Sequence, residues 1–293
     1  MSRIIQGLMR STSLSDEELY ELIKYDLDSG ITIFDLADIY GNGEAELKLG
    51  RILKEHKELR DKMFIQTKCS IVLGDTYYDL SYDHIIESVK LSLSRLNIEY
   101  LDSLLLHRPD ILMDKDEIKG AFDYLKQNGL VKHFGVSNFS KEVIKYLDMD
   151  NYIEYNQIQL GLGQMRLIEE VLNFNMNNDE GSSHTNDTLF YLKRKGIKIQ
   201  AWSPLIAGYF EGSIFDNNKY LELNKKLDEL AYKYNVFKSS IAINFLLMLD
   251  KDLNVIIGSM NKEHIKEALD AETFKLSKED WYSLYKSTGK MLP

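Results

Sequence analysis

Apolar and polar positions form two kinds of pattern along the chain. One is a short run of β-forming residues, and the other is a longer stretch in which apolar residues recur with helical spacing. Eight runs predict strands, at residues 4–8, 31–34, 63–68, 102–107, 132–138, 155–159, 197–202 and 254–259. Each is followed by a stretch in which apolar residues recur with helical periodicity, which predicts an amphipathic helix. Before the first of these helices, Ser15 and Glu18 form a capping-box signature, and Gly30 marks its end.

A strand followed by a helix, repeated in this way, predicts an α/β fold of the (β/α)8 barrel type. The length of 293 residues is compatible with one such barrel, and no linker rich in Pro, Gly or Ser divides the chain, so we expect a single domain over residues 1–293. The alternative is a doubly wound dinucleotide fold, which requires Gly-x-Gly-x-x-Gly after an early strand. Gly41-Asn42-Gly43 and Gly161-Leu162-Gly163 both lack the third glycine, and the pattern therefore favours the barrel.

Composition and charge narrow the class of protein. With 44% apolar and 28% charged residues, the chain is typical of a globular protein with a sizeable core. A net charge of −10 disfavours general binding to nucleic acid or to an anionic membrane, although a local basic pocket for one phosphate is compatible with it. The single cysteine, Cys69, excludes an intrachain disulfide and suits a reducing compartment. Because neither a secretory signal nor a long apolar run is evident, we expect a cytoplasmic monomer or weak homo-oligomer.

Polar residues stand at or near the carboxyl ends of several predicted strands. Asp35 ends the second strand, and Tyr40 follows five residues later, directly before the turn residues Gly41-Asn42-Gly43. Taken alone, this pair has the ordinary explanation of a polar strand end that meets water. In a barrel, however, the carboxyl ends of all strands form one rim. We therefore expect one shared mouth for a set that comprises Asp35, Lys68, His107, Ser137, Asn138, Gln157 and Trp202.

The chemical make-up of this set suggests reduction of a carbonyl group. Tyrosine, with an ordinary pKa of about 10, is a poor acid at neutral pH. Lys68 beside Tyr40 would lower that pKa, and Asp35 would hold the lysine charged and oriented. His107 could donate a hydrogen bond to the oxygen of a bound carbonyl. These four side chains together would place a proton donor over a polarised carbonyl.

No side chain supplies hydride, so this chemistry requires a nicotinamide cofactor. Asn138 and Gln157 offer donors and acceptors suited to a carboxamide, and Trp202 offers a flat face for a ring. A metal-dependent hydrolase on the same barrel is disfavoured, because only His107 among the histidines lies at a predicted strand end. His133 lies within a strand and has no cluster of His, Cys or Asp at ligand spacing, and no metal site is predicted.

Six segments, taken in chain order, resemble the aldo-keto reductases, and the similarity extends to bacterial members known as predicted oxidoreductases. They are Phe34-Asp35-x-Ala37-Asp38-x-Tyr40-Gly41, Thr67-Lys68, Leu104-Leu105-Leu106-His107-Arg108-Pro109, Gly135-Val136-Ser137-Asn138-Phe139, Asn156-Gln157 and Trp202-Ser203-Pro204-Leu205. The resemblance covers nearly the whole chain. It implies an NAD(P)-dependent oxidoreductase that reduces an aldehyde or ketone to an alcohol. A cofactor-binding regulatory or sensor subunit with little turnover is the alternative on the same barrel.

The resemblance also implies roles for individual residues. The catalytic positions would be Asp35, Tyr40, Lys68 and His107, with Tyr40 as the proton donor. The cofactor contacts would include the backbone of Gly7 at the end of the first strand. The other cofactor contacts would be Ser137, Asn138, Gln157, Trp202, Ser203, Leu205, Gly258, Ser259, Asn261, His264 and Glu267.

Two of these positions depart from the family's NADP-binding pattern. Many NADPH-dependent members carry a lysine where Gly258 stands and an arginine where His264 stands. Lys262 and Lys266 are near enough in sequence to replace these charges. NADP(H) rather than NAD(H) is the default that the resemblance implies, and the two departures weaken it. A small-molecule carbonyl substrate would be walled by residues 111–115, 161–165 and 286–293.

Overall fold

The computed structural model describes residues 2–149, 151–173, 179, 187–208, 212–215 and 217–290. The eight predicted strands are present as β1 (Ile4–Gly7), β2 (Ile33–Asp35), β3 (Phe64–Cys69), β6 (Leu101–Leu106), β7 (Val131–Ser137), β8 (Ile153–Gln159), β9 (Lys198–Trp202) and β12 (Asn254–Ile257). Two short antiparallel hairpins follow the ends of β3 and β9. They are β4 (Ile71–Val72) with β5 (Tyr77–Tyr78), and β10 (Ile206–Gly208) with β11 (Gly212–Ser213).

Helices follow the barrel strands as the apolar periodicity predicts. In chain order they are α1 (Asp16–Asp28), α2 (Glu44–Glu55), α3 (Tyr82–Leu96), α4 (Lys115–Gln127), α5 (Lys141–Leu147), α6 (Arg166–Leu172), α7 (Thr188–Lys195), α8 (Leu221–Tyr234), α9 (Lys238–Leu247), α10 (Lys262–Asp270) and α11 (Lys278–Ser287). The capping box of α1 is confirmed, since Ser15 Oγ accepts from the Glu18 amide and Glu18 Oε2 accepts from the Ser15 amide. No helix in the described ranges is long and apolar enough to cross a membrane.

The eight predicted strands form one closed sheet in the order β1-β12-β9-β8-β7-β6-β3-β2. The (β/α)8 barrel expected from the sequence is thereby confirmed. Residue contacts group the chain into two compact units, one of positions 5–157 with 258–262 and the other of positions 2–4, 158–257 and 263–293. The single domain expected from the sequence stays a prediction.

Within the first unit, the strand register brings polar residues to one edge of the sheet. Asp35 at the end of β2 is level with Gln66 in β3. Two residues further along β3, Lys68 pairs in register with Leu105, directly before the end of β6. Ser137 at the end of β7 is level with Gln157 in β8. Because parallel strands point in the same direction, these residues lie at or near the carboxyl edge of the sheet.

Candidate functional site

Lys68 is completely buried at the carboxyl end of β3, and its ammonium group has three hydrogen-bond acceptors. The Nζ atom donates to Asp35 Oδ2 at 2.7 Å, to the Leu36 carbonyl at 2.6 Å and to Tyr40 Oη at 3.2 Å. A lysine ammonium has three hydrogens, so this arrangement satisfies all of them. Lys68 therefore links Asp35 on the strand to Tyr40 on the loop, as the sequence predicted.

The second oxygen of the Asp35 carboxylate also accepts hydrogen bonds. Asp35 Oδ1 accepts from Gln66 Nε2 at 2.6 Å and from Gln157 Nε2 at 2.9 Å, and the residue is only 3% exposed. Three donors thus fix both oxygens of one buried carboxylate. Gln66 was not among the residues predicted for the site. Its position two residues before Lys68 on the same strand was the available signal, because residues i and i+2 of a strand share a face.

A tight turn carries Tyr40 into the site from the end of β2. The three residues that follow it all have left-handed backbone, with φ of 59° at Gly41, 56° at Asn42 and 91° at Gly43. Such φ values favour glycine and asparagine, since other side chains are strained there. The Gly-Asn-Gly sequence therefore allows the chain to reverse directly after Tyr40 and to begin α2 at Glu44.

The loop before that turn is tied to α3 and β3. Arg95 Nη1 donates to the Asp38 carbonyl at 2.9 Å and pairs with Glu46 Oε2 at 3.2 Å. Glu46 is fully buried, and its second carboxylate oxygen accepts from Thr67 Oγ1 at 2.7 Å. Because Thr67 immediately precedes Lys68, this chain of contacts connects the Tyr40 loop to the strand that carries the lysine.

Burial shifts the acidity of the Tyr40 hydroxyl in the opposite direction to the one expected from the sequence. Desolvation raises the pKa of Tyr40, Lys68 works against that rise, and Asp35 adds to it. The net direction is upward, whereas the lowering expected from the sequence depended on the neighbouring lysine. Tyr40 therefore stays protonated in the neutral pH range, which is the state required of a proton donor.

Lys68 remains charged although it is buried. Desolvation lowers the pKa of its ammonium, but the Asp35 carboxylate and Tyr40 more than offset this, so that the net shift is upward. A charged lysine in contact with Tyr40 Oη stabilises the phenolate that proton donation leaves behind.

His107 follows β6 directly and completes the cluster. Its ring lies 6.0 Å from the Tyr40 ring, centroid to centroid, in an edge-to-face arrangement. Burial lowers the pKa of His107 well below its usual range, and the positive charges of Lys68 and Arg108 act in the same direction. Its Nδ1 atom is buried and has no hydrogen-bond partner among the described residues. A neutral imidazole in this position is suited to hydrogen bonding with a ligand oxygen.

Ser137, Asn138 and Gln157 form a hydrogen-bonded group beside this cluster. Ser137 Oγ donates to the Gln157 carbonyl at 3.0 Å, and Asn138 Nδ2 donates to Ser137 Oγ at 2.9 Å. Asn138 has left-handed backbone with φ of 61°, which turns the chain just after β7. Since Gln157 also donates to Asp35, the residues expected to hold a carboxamide are connected to the expected catalytic residues. Amides and a hydroxyl at this edge fit the hydrogen-bonding groups of a nicotinamide carboxamide.

Other predicted cofactor contacts of the first unit lie at the ends of β1 and β12. Gly7 is buried and level with Asp35, while the Ser259 carbonyl accepts from Gln6 Nε2 at 3.1 Å. The Asn261 amide donates to Ser259 Oγ at 3.2 Å. At Gly258, a Cβ would meet no atom within 4 Å, so this side of the chain is open.

Lys262, at the start of α10, contacts the neighbouring helix α1. Its ammonium lies over the Tyr25 ring of α1, at 5.6 Å from the centroid. Proximity in sequence to Gly258 had made it a candidate partner for a 2′-phosphate. The contact with Tyr25 instead directs it towards the neighbouring helix.

The remaining predicted contacts belong to the second unit. Trp202 is half-buried at the end of β9, and its carbonyl accepts from the Leu160 amide at 3.4 Å. Ser203 then reverses the chain with φ of 51°, and Leu205 accepts from the Ile214 amide at 3.1 Å. On α10, His264 is exposed, and the Glu267 carboxylate accepts from Ser239 Oγ. Contacts of these five predicted residues with the cofactor stay a prediction.

The segments expected to wall the substrate differ in exposure. Ile111 and Leu112 are almost fully exposed, whereas Leu162 and Met165 are buried. Positions 291–293 of the third segment lie outside the described residues. No group of three His, Cys, Asp or Glu residues in the described part of the chain is arranged to hold a metal ion.

Comparison with known proteins places the chain in a family. The model of the Aldo/keto reductase family matches residues 3–287. Oxidoreductase YdhF of Escherichia coli (strain K12) is 32% identical over 299 residues, covering 98% of this chain and 93% of that protein. A 6-dehydroglucose reductase of Agrobacterium fabrum (strain C58 / ATCC 33970) is 34% identical over 298 residues, covering 97% and 93%.

A solved structure shares the fold. The thermostable aldo-keto reductase Tm1743, in complex with the inhibitor epalrestat, superimposes with a TM-score of 0.75 at 23% identity, covering 98% of this chain and 95% of that chain. The resemblance stated from the sequence motifs, including the likeness to bacterial oxidoreductases, is confirmed. The chain belongs to the Aldo/keto reductase family and is an oxidoreductase with the (β/α)8 barrel of that family.

Proposed function

We propose that this oxidoreductase catalyses the NAD(P)H-dependent reduction of an aldehyde or ketone to an alcohol, with Tyr40 as the proton donor. The observation that carries this proposal is the contact of Lys68 Nζ with Tyr40 Oη at 3.2 Å, made while the same ammonium is held by Asp35 at 2.7 Å. Binding a nucleotide alone does not require a buried lysine against a tyrosine hydroxyl. Proton donation by that hydroxyl is favoured by such a lysine, because the positive charge stabilises the phenolate.

Each of the four side chains has a distinct task in this scheme. Tyr40, kept protonated by its burial, gives its proton to the oxygen of the carbonyl group. Lys68 stabilises the phenolate that forms, and Asp35 holds Lys68 in place. Neutral His107 donates a hydrogen bond to the same substrate oxygen and thereby polarises the carbonyl. The nicotinamide, when bound, supplies the hydride that the carbonyl carbon accepts.

Aldo-keto reductases use nicotinamide cofactors, and we propose NADP(H) rather than NAD(H) for this chain. Ser137, Asn138 and Gln157 would hold the carboxamide, and Trp202 would stack on the ring. Ser203 and Leu205 would lie along the pyrophosphate. At the adenosine end, Gly258, Ser259, Asn261, His264 and Glu267 would line the cofactor, and the backbone of Gly7 would approach it at the end of β1. The exposed side chains of His264 and Lys266 are the basic groups in this region that support a 2′-phosphate.

The substrate class proposed is a small carbonyl compound. A relative with 34% identity bears the name 6-dehydroglucose reductase, which supports the direction of reduction. The exposed apolar side chains of Ile111 and Leu112, in the segment expected to wall the substrate, favour a substrate with some apolar surface. A single domain, a cytoplasmic location and a monomeric or weakly oligomeric state complete the proposal.

Replacing Tyr40 by phenylalanine tests the proposal directly. Tyr40→Phe removes only the hydroxyl, so carbonyl reduction should fall by at least ~10², the scale of a lost general acid. Nucleotide affinity, measured by titration, should stay close to that of the original protein. Tyr232→Phe is the matched control, because Tyr232 is 92% exposed and its loss of a hydroxyl should leave turnover unchanged.

Two results would contradict the proposal in different ways. Full turnover in Tyr40→Phe would remove Tyr40 from the role of proton donor. Binding of NADPH without turnover on a broad panel of aldehydes and ketones would instead favour the regulatory or sensor subunit.

A further inference from the structure

Gln66 has no task in the proposed reaction, yet its side chain is one of the three donors to Asp35. It is fully buried in β3, on the same face of the strand as Lys68. Its Nε2 atom lies 2.6 Å from Asp35 Oδ1, which is shorter than the 2.9 Å contact made by Gln157 to the same oxygen. This is the short range typical of hydrogen bonds to a charged acceptor.

We propose that Gln66 is a positioning residue that holds the Asp35 carboxylate, and through it Lys68, in the arrangement from which Tyr40 donates its proton. The inference rests on the proposed function, since it assigns Gln66 to the same proton transfer. It adds a residue to the reaction that the family motifs quoted above do not include.

Gln66 restricts the orientation of the Asp35 carboxylate. The two oxygens of Asp35 are divided between different partners, with Lys68 on Oδ2 and the two glutamine amides on Oδ1. Contacts on both oxygens fix the rotation of the carboxylate about its Cβ–Cγ bond. Without Gln66, the contact of Oδ1 given by the described residues would be the one with Gln157, and Gln157 is itself proposed to bind the cofactor. The Lys68 ammonium would then follow a carboxylate that is held less firmly.

Gln66 also affects the electrostatics of the site. The negative charge of Asp35 opposes the acidity of Tyr40, whereas the positive charge of Lys68 supports it. A hydrogen-bond donor on Asp35 draws part of its negative charge away from Lys68 and Tyr40. Removing the Gln66 amide would leave more of that charge facing the pair, and Tyr40 would become the weaker acid.

Gln66→Met tests both effects, because methionine has a similar size and shape but no donor. We expect kcat to fall by ~10-fold or more, the factor that corresponds to a lost hydrogen bond on a charged group. The KM for the nucleotide should change by less than ~2-fold, since Gln66 is not among the proposed cofactor contacts. The unfolding midpoint of the variant, measured in parallel, shows whether the protein used in the assay is folded.

Gln66→Glu supplies a readout that a merely structural role would not move. A protonated glutamic acid can donate its O–H to Asp35 as the amide does, whereas an ionised one repels it. The neighbouring Asp35 raises the pKa of the introduced group, as for two carboxylates sharing a site. The ratio of kcat in Gln66→Glu to that of the original protein should therefore rise as the pH is lowered from about 8 to about 5. The same ratio for Gln66→Met should stay flat.

The outcomes separate this inference from the proposed function. If Tyr40→Phe abolishes turnover while Gln66→Met retains the original kcat, the role of Gln66 is wrong and the reaction stands. If Tyr40→Phe is fully active, the proposed function itself fails. If Gln66→Met does not fold, Gln66→Glu decides, and a kcat ratio that does not rise at low pH overturns the inference.

Discussion

Asp26 is a buried carboxyl group outside the candidate site. It lies on the inner face of α1 with no exposed surface, and neither side-chain oxygen has a hydrogen-bond partner among the described residues. Burial raises the pKa of Asp26 from 3.8 to about 8, opposed only in part by the charge of Lys262. A buried ionised carboxylate without partners is costly, and the group therefore holds its proton in the folded state.

The sign of the resulting pH dependence follows from the two pKa values. Between pH 3.8 and about pH 8, Asp26 is protonated in the folded protein and ionised in the unfolded chain. The contribution of this residue to the free energy of unfolding therefore falls as the pH rises. Asp26→Asn removes the titration, and we expect it to raise the free energy of unfolding by several kcal/mol more at pH 8 than at pH 4.5, since each pH unit between the two pKa values changes the contribution of Asp26 by ~1.4 kcal/mol.

Urea unfolding at the two pH values measures the effect. The matched control is Asp28→Asn on the same helix, because Asp28 is exposed and its replacement should change stability little at either pH. An equal effect of Asp26→Asn at both pH values would show that the carboxyl group is not protonated in the folded protein at neutral pH.

At the scale of secondary-structure elements, the turn between Tyr40 and α2 depends on Gly43. A Cβ built there would lie 2.4 Å from Cζ of Arg95, the guanidinium that holds the Asp38 carbonyl and Glu46. In Gly43→Ala, Arg95 would have to leave these partners, and the loop that carries Tyr40 would lose its connection to α3. We expect a loss of ~2–3 kcal/mol in stability, from backbone strain together with the broken charged contacts, and a fall in kcat of ~10-fold or more.

Gly30→Ala separates the effect of backbone strain from the effect of losing the Arg95 contacts. Gly30 has a φ of 87°, close to the 91° of Gly43, but no atom lies within 4 Å of its Cβ position. This variant should therefore lose only the ~1 kcal/mol of backbone strain and keep its turnover. Equal losses of stability and activity in the two variants would exclude the Arg95 contact as the cause. Chemical denaturation and steady-state kinetics on both proteins provide the comparison.

The elements that could be predicted from the sequence are those in which apolar residues recur regularly over several positions. The eight barrel strands and the capping box at Ser15 could be predicted because hydrophobic periodicity and cap chemistry are local properties. The hairpin of Ile71–Val72 with Tyr77–Tyr78 was not predicted, since two-residue strands are too short to show alternation. Its existence depends on pairing across a turn rather than on the residues of either strand alone.

At the scale of the whole molecule, the proximity of the polar strand ends in the first unit was predictable because neighbouring parallel strands bring their carboxyl ends to one edge. The contacts of individual side chains were not. Gln66 reaches Asp35 through the strand register, and Lys262 lies over Tyr25 of a helix distant in sequence. The upward shift in the pKa of Tyr40 results from burial, which depends on the assembled fold rather than on the residue beside it.

Nucleotide binding is the property of the whole molecule that the proposal predicts most directly. The chain has two tryptophans. Trp202 is half-buried at the end of β9, whereas the Trp281 ring is buried and stacked on Phe245 with centroids 4.4 Å apart. NADPH should quench the emission of Trp202 by stacking on it, and Trp202→Phe should abolish that quenching while the emission of Trp281 persists.

The same titration discriminates between the two nucleotides. If His264 and Lys266 contact the 2′-phosphate, NADPH should bind at least ~10-fold more tightly than NADH, since a charge-assisted contact contributes ~1.5–3 kcal/mol. Binding should also raise the free energy of unfolding by ~2.7 kcal/mol at a concentration one hundred times the Kd. Lys266→Ala should weaken NADPH but not NADH. Equal affinities for both nucleotides would contradict the assignment of NADP(H). If neither nucleotide binds, the assignment of a nicotinamide cofactor is wrong, and the proposed reduction is wrong with it.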